Sequence, residues 1–195
     1  MINYLVYAFD YPKRYYADFI LRYEKVLELL KESEISKCYR IIKPKKLELK
    51  EFEILHERNY LKELEEMSEN NEKVKEGITF DSLGASGTIY ACELALKKNT
   101  IVYHLGGGFH RAFRDRKGAF DYLNDIAIAV EWLRRKYKIR KIMIIDLDVH
   151  HANGTQEIFY NEPVLQISFH GWGIFPGTGD VSEIGEGKGK GYKIN

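Results

Sequence analysis

Residues 144–154, IIDLDVHHANG, place two carboxylates and two imidazoles directly behind an apolar run. The run RKIMIIDLD reads as a buried strand, and Asn153 and Gly154 as the loop beyond it. Side chains on a strand alternate faces, so Asp146, Asp148 and His150, each two apart, point the same way if the extended conformation continues. Ligands on open parallel sheets bind beyond the carboxyl ends of the strands, which is where this trio falls. Asp oxygen and His nitrogen suit a zinc-like divalent ion, and a catalytic site normally takes three protein ligands and keeps one position open. This segment supplies two of the three. The bland alternative is an Asp capping the next helix beside surface histidines. Against it, three ionisable groups converging at a strand end repel or protonate unless a cation holds them.

Working outward, the chain alternates strand and helix around this stretch. INYLVYAF reads as a first strand, and Tyr16, Phe19, Ile20, Tyr23, Val26, Leu27 and Leu30 recur at helical spacing. From Glu32 to Gly77 Lys and Glu are dense, with HERNYLKELEEM the best helix; mixed charge of this kind is an ordinary solvated face. FDSLGASGTIYACELALKK is a helix, TIVYHL a strand, GGGFHRAFRDRKGAF a long loop and DYLNDIAIAVEWLRRKY a helix whose Tyr122, Ile126, Val130 and Leu133 share a face. GTQEIFY is a short helix and VLQISF a strand. The strands are continuous apolar runs, as expected when both faces are covered. The expected fold is therefore α/β, three-layered, with a mostly parallel sheet.

Bulk composition narrows the function classes. At 195 residues the expectation is one domain spanning 1–195. Lys plus Arg number 30 against 29 Asp plus Glu, so no global field draws the chain to nucleic acid or an anionic membrane. Cys38 and Cys92 form no CxxC pair, which fits a reducing compartment and makes cytoplasmic location the expectation. No apolar run reaches the ~18 residues of a membrane span, and no export signal is expected. GEGKGKG lacks the order of a phosphate loop and reads as a flexible basic loop.

LGGGFHR ends the preceding strand; its glycines let backbone approach a ligand closely, and it carries His110, a candidate acid–base residue. GGGFHRAFRDRKGAFDYLNDIAIA, IIDLDVHHANGTQEIFY and ISFHGWGIFPGTGDVSEIGEGKGKGYKIN together resemble the histone deacetylase and acetylpolyamine amidohydrolase family, whose fold is arginase-like. The resemblance runs from about Ile78 to Asn195, with a weaker echo in ILHERNYLKEL.

The resemblance implies a zinc-dependent amide hydrolase that removes acetyl groups from acetylated lysine or polyamine, with iron in place of zinc left open. It implies Asp148 and His150 as zinc ligands and Asp146 as the group orienting His110 through a hydrogen bond. A structural potassium site would use Asp146, Asp148 and His150 with Ser168 and the Phe169 carbonyl. Gly108, Phe120 and Phe175 would line a narrow acyl-lysine tunnel, although core packing is the simpler reading of either Phe taken alone. His151 and His170 match positions of structural character.

The match breaks in two places. Where the family has a second histidine, usually assigned as the base, this chain has Arg111, which stays protonated and cannot accept that proton; its expected carboxylate partner is Asn153. The chain also stops before the family's third zinc ligand, an Asp, and the Tyr that hydrogen-bonds the oxyanion, with Asp180 and Glu183 poor substitutes. The expectation is an incomplete deacetylase-like domain lacking its C-terminal strands, with an unpaired sheet edge met by a complementing C-terminal chain or by self-association. The competing expectation is a degenerate homologue that binds a partner, a metal or acyl-lysine without turnover.

Overall fold

The computed structural model describes residues 3–195. Strand β1 (Asn3–Tyr7) is followed by helix α1 (Ala17–Glu32), strand β2 (Tyr39–Ile42), helix α2 (Arg58–Asn70) and the long helix α3 (Glu72–Lys98). Strand β3 (Val102–Leu105), helix α4 (Asp125–Lys136), strand β4 (Met143–Asp146), short helix α5 (Asn153–Ile158) and strands β5 (Leu165–Ser168) and β6 (Lys193–Ile194) complete the order. Among the described residues all four strand pairings are parallel, in agreement with the expected α/β class. The strands divide into two three-stranded sheets, β2-β1-β3 and β4-β5-β6.

Local chemistry explains the two helices that frame the site. Asn71 caps α3 by accepting the amides of Lys73 and Val74, and Asn99 ends it in the left-handed conformation at φ 48° behind Lys97 and Lys98. Asn124 caps α4 by accepting the Ala127 amide at 2.9 Å, with Arg134, Arg135 and Lys136 in its last turn. These two helices pack closely, and Ala85, Ile89, Ala127, Ile128 and Trp132 lie in one buried cluster with Phe159 and Ile144. A second cluster joins Leu5 and Tyr7 of β1 to Ile20 and Leu27 of α1 and Phe80 and Leu83 of α3.

Several details depart from the sequence reading. On α1 the buried positions are Ile20 and Leu27, whereas Phe19 and Val26 are exposed, so the packed stripe is narrower than the apolar one. Tyr122 precedes α4, and the helix buries the continuous run Ala127 to Trp132, while Ile126 and Leu133 are half-buried. α3 begins at Glu72, before the segment read as helical, because the cap lies at Asn71. GEGKGKG folds as a 3-10 turn over Gly187–Gly189, with Gly185 and Gly189 buried beside the Tyr160 backbone.

The strand β4 is not covered on both faces. Ile144 and Asp146 are buried, but Met143 and Ile145 are more than half exposed, and the row continues into Leu147 and Val149. Extended pairing also stops at Asp146, so residues beyond it need another device to converge.

Candidate functional site

That device is a relay of carboxylates onto backbone amides. Asp146 Oδ1 accepts the Asp148 amide at 2.9 Å, and Asp148 Oδ1 accepts the His150 amide at 2.8 Å. Each bond folds the chain back over two residues, the local geometry Asp favours. His150 Nδ1 thereby comes to 3.0 Å from Asp148 Oδ1. Two donors on one tetrahedral zinc, each about 2.0–2.1 Å from it, lie about 3.3 Å apart, so this pair fits two ligand positions. No cluster of three or more His, Cys, Asp or Glu side chains in metal-holding geometry occurs among the described residues.

His110 enters from the glycine loop after β3. Its Nδ1 lies 2.8 Å from Asp146 Oδ2, and both side chains are buried. A carboxylate oxygen accepts, so His110 Nδ1–H is the donor in this pair, and Nε2 is left pointing to the other side of the ring. Nε2 faces Asp148 Oδ1 at 4.0 Å. For Asp148, burial pushes the pKa up, but the amide and ring of His150 and the nearby His110 outweigh it and hold the carboxyl below its ordinary value.

The loop that carries His110 hangs on three buried carboxylates the sequence reading passed over. Asp125 accepts the amides of Gly108 and Phe109, the latter at 2.6 Å, and the Thr88 hydroxyl. Asp121 accepts the Arg111 amide at 3.0 Å, and Asp81 accepts the amides of Tyr122 and Leu123. Burial pushes all three upward, Asp121 to about 6 and Asp81 well above its ordinary value with the Asp121 charge adding to burial. A β-carbon on Gly107 would strike Asp125, Thr88 and His104, which explains a glycine there. From the other side, Thr155 donates its amide to the His110 carbonyl at 3.1 Å. The only sequence signal for Asp81 and Asp125 was a carboxylate inside an apolar helical stretch.

Arg111 is also buried. Its Nη2 is 4.0 Å from Asp148 Oδ1, and its guanidinium lies 5.7 Å from the Phe120 ring centre and 5.1 Å from that of Phe175. Both rings are exposed, so they are not core residues; Phe175 also meets the His150 ring edge-on at 6.1 Å. Gly108, at φ +99°, has open space on its side-chain side. Asn153 opens α5.

Beside the trio, Ser168 pairs in register with Asp146, and the Phe169 amide donates to the Asp146 carbonyl at 2.9 Å. The Ser168 hydroxyl meets His170 Nδ1 at 2.9 Å, while His151 is held by Thr178 and Gln156. Glu183 is engaged with Gln156 and the amides of Gly179 and Asp180, and Asp180 with Ser182. The side chains of His151, His170, Asp180 and Glu183 thus serve the surrounding loops.

A histidine backed by a buried carboxylate, facing an Asp–His pair at the end of a parallel strand, defines an α/β protein with its site at the strand termini. Residues 20–195 match the family model described as the histone deacetylase domain, and the chain belongs to that family. It is 31% identical to histone deacetylase 8 of Xenopus tropicalis over 194 residues, covering 89% of this chain and 52% of that protein. It is 41% identical to the acetoin utilization protein AcuC of Bacillus subtilis over 118 residues, 58% of this chain and 30% of the relative. With histone deacetylase HDAC1 of Drosophila melanogaster it shares 40% identity over 119 residues, 60% of this chain and 22% of the other. The chain spans about half the length of the histone deacetylase 8 relatives.

Proposed function

We propose that this chain carries the metal-holding and proton-handling part of a deacetylase that hydrolyses the amide of an acetylated lysine or polyamine. The observation that carries the reading is the His110–Asp146 pair facing the Asp148–His150 donor pair. Asp148 and His150 would hold a divalent ion, zinc or iron, whose chemistry when bound is Lewis-acid polarisation of the acetyl carbonyl. Asp146 fixes the ring of His110, and His110 Nε2 accepts a proton from the attacking water and returns it to the leaving amine. Phe120 and Phe175 flank the aliphatic stem of the substrate and exclude water from it. The Asp146 carbonyl, with Ser168 and Phe169 beside it, offers oxygen ligands of the hard type that suits potassium.

The row Met143, Ile145, Leu147 and Val149 supports a second part of the reading: further polypeptide, a complementing C-terminal chain or another copy, covers this face. The test is release of acetate from an acetyl-lysine peptide with zinc added, by the chain alone and by the chain mixed with the C-terminal half of a homologous domain. Release that disappears in His110→Ala supports the reading. Acetate release unaffected by that substitution, or zinc-loaded complemented protein with none, would contradict it and favour a binding role without turnover.

A further inference from the structure

Among the described residues, Arg111 brings to the mouth a charged side chain with a buried donor that has no acceptor. Its side chain is 10% exposed, and its Nη1 is buried with no acceptor among the described residues. The Asp148 carboxylate, at 4.0 Å from Nη2, is too far for a hydrogen bond. The faces of Phe120 and Phe175 attract the positive charge but accept no directed N–H bond of ordinary strength. A buried N–H donor without an acceptor is costly, and more so on a charged group. The geometry therefore holds a planar cationic fork 5.7 and 5.1 Å from the centres of two exposed rings, beside the Asp148–His150 pair, with its Nη1 donor unsatisfied.

The ligand group that fits such a fork is a carboxylate, which takes two parallel N–H bonds from one guanidinium. A chain bearing ammonium groups meets the opposite condition, since like charges repel in a partly desolvated mouth. We propose that Arg111 makes this mouth a carboxylate receptor, so that its ligands are N-acyl amines carrying a second carboxylate, or free small carboxylates, in preference to acylated polyamines. The proposal rests on reading Phe120 and Phe175 as the walls of the substrate path, and it concerns binding whether or not the chain turns substrate over.

The test compares affinities by calorimetry for four probes: an Nε-succinyl-lysine peptide, the matching Nε-acetyl-lysine peptide, N-acetylputrescine and sodium acetate. Each is measured with added zinc and again in chelator, on the wild-type chain and on Arg111→Met and Arg111→Lys. Circular dichroism confirms that each variant is folded; Arg111→Lys, which keeps the charge, serves if Arg111→Met does not fold. The succinyl peptide is expected to bind about tenfold more tightly than the acetyl peptide, with N-acetylputrescine weakest. That preference should vanish in Arg111→Met and shrink in Arg111→Lys, whose point charge lacks the fork.

Arg111-dependent binding of acetate, with no added preference for the succinyl peptide, supports the receptor with a free carboxylate as its source. Equal affinity for all four probes, or a succinyl preference that persists in both variants, overturns the proposal. Arg111-dependent binding without hydrolysis of either peptide leaves the receptor standing and counts against the deacetylase reading alone.

Discussion

His110 Nδ1 and Asp146 Oδ2 are 2.8 Å apart in a buried pair, while the other carboxylate oxygen of Asp146 accepts the Asp148 amide. One side chain thus fixes both the tautomer of the histidine and the turn that presents Asp148. In Asp146→Asn the carbonyl oxygen stays with the Asp148 amide, which needs an acceptor, and the NH2 group turns to His110. Donation from that NH2 obliges Nδ1 to accept and moves the ring proton to Nε2. Nitrogen-15 NMR of the imidazole should show Nδ1 protonated in the wild type and Nε2 protonated in the variant. An unchanged tautomer would mean that Asp146 does not orient the ring.

Asp125 holds the glycine loop through two amides and the Thr88 hydroxyl. Asp125→Ala strands these buried donors, so unfolding free energy should drop by about 3 kcal/mol in urea titrations. A loss below about 1 kcal/mol would show that the loop keeps its shape without the carboxylate.

Asp121 supplies a pH signature. Burial raises its pKa to about 6 in the folded chain, above the ordinary carboxylate value, so the folded state holds the proton more tightly than the unfolded state. Its favourable contribution is complete below about pH 4 and is lost as pH rises through about 6. Asp121→Asn keeps an acceptor for the Arg111 amide and does not titrate. Relative to wild type, the variant should therefore gain on the order of 2 kcal/mol between pH 4 and pH 7, read from paired denaturation curves. A difference independent of pH would contradict the assignment.

The open face of β4 and the turn after it makes a prediction about association. Ile145 and Leu147 are 53% and 75% exposed, so charging them removes little folding energy. Ile145→Lys with Leu147→Lys should change the unfolding midpoint by less than about 2 °C. The same pair should abolish binding of a complementing segment, or self-association, in sedimentation or size-exclusion measurements. Association that survives both substitutions would place the contact elsewhere.

How far the sequence carried the reading differs from element to element. The parallel α/β class was legible because β1, β3 and β5 read as apolar runs separated by helical spacing, and the histone deacetylase motifs were legible in the same segments. The convergence of Asp146, Asp148 and His150 was anticipated for a different reason: alternation along a strand was the argument, whereas the strand stops at Asp146 and Asx-type turns do the work. The division into two sheets and the bare face of β4 could not be read, because an apolar run looks the same whether one face or both are covered. Asp81, Asp121 and Asp125 were missed since a buried carboxylate that accepts backbone amides leaves only a lone charge in an apolar stretch as its trace. Arg111 was recognised as a departure, but its approach to the Phe120 and Phe175 rings needed coordinates.

The central claim is that Asp148 and His150 form the metal-holding pair beside His110. Zinc titration of the metal-free chain by calorimetry, with wild type, Asp148→Ala, His150→Ala and the control His170→Ala compared, tests it most directly. The account predicts one zinc per wild-type chain and per His170→Ala chain, with affinity falling by at least about tenfold in each of the other two variants. Equal zinc affinity in all four proteins would contradict it.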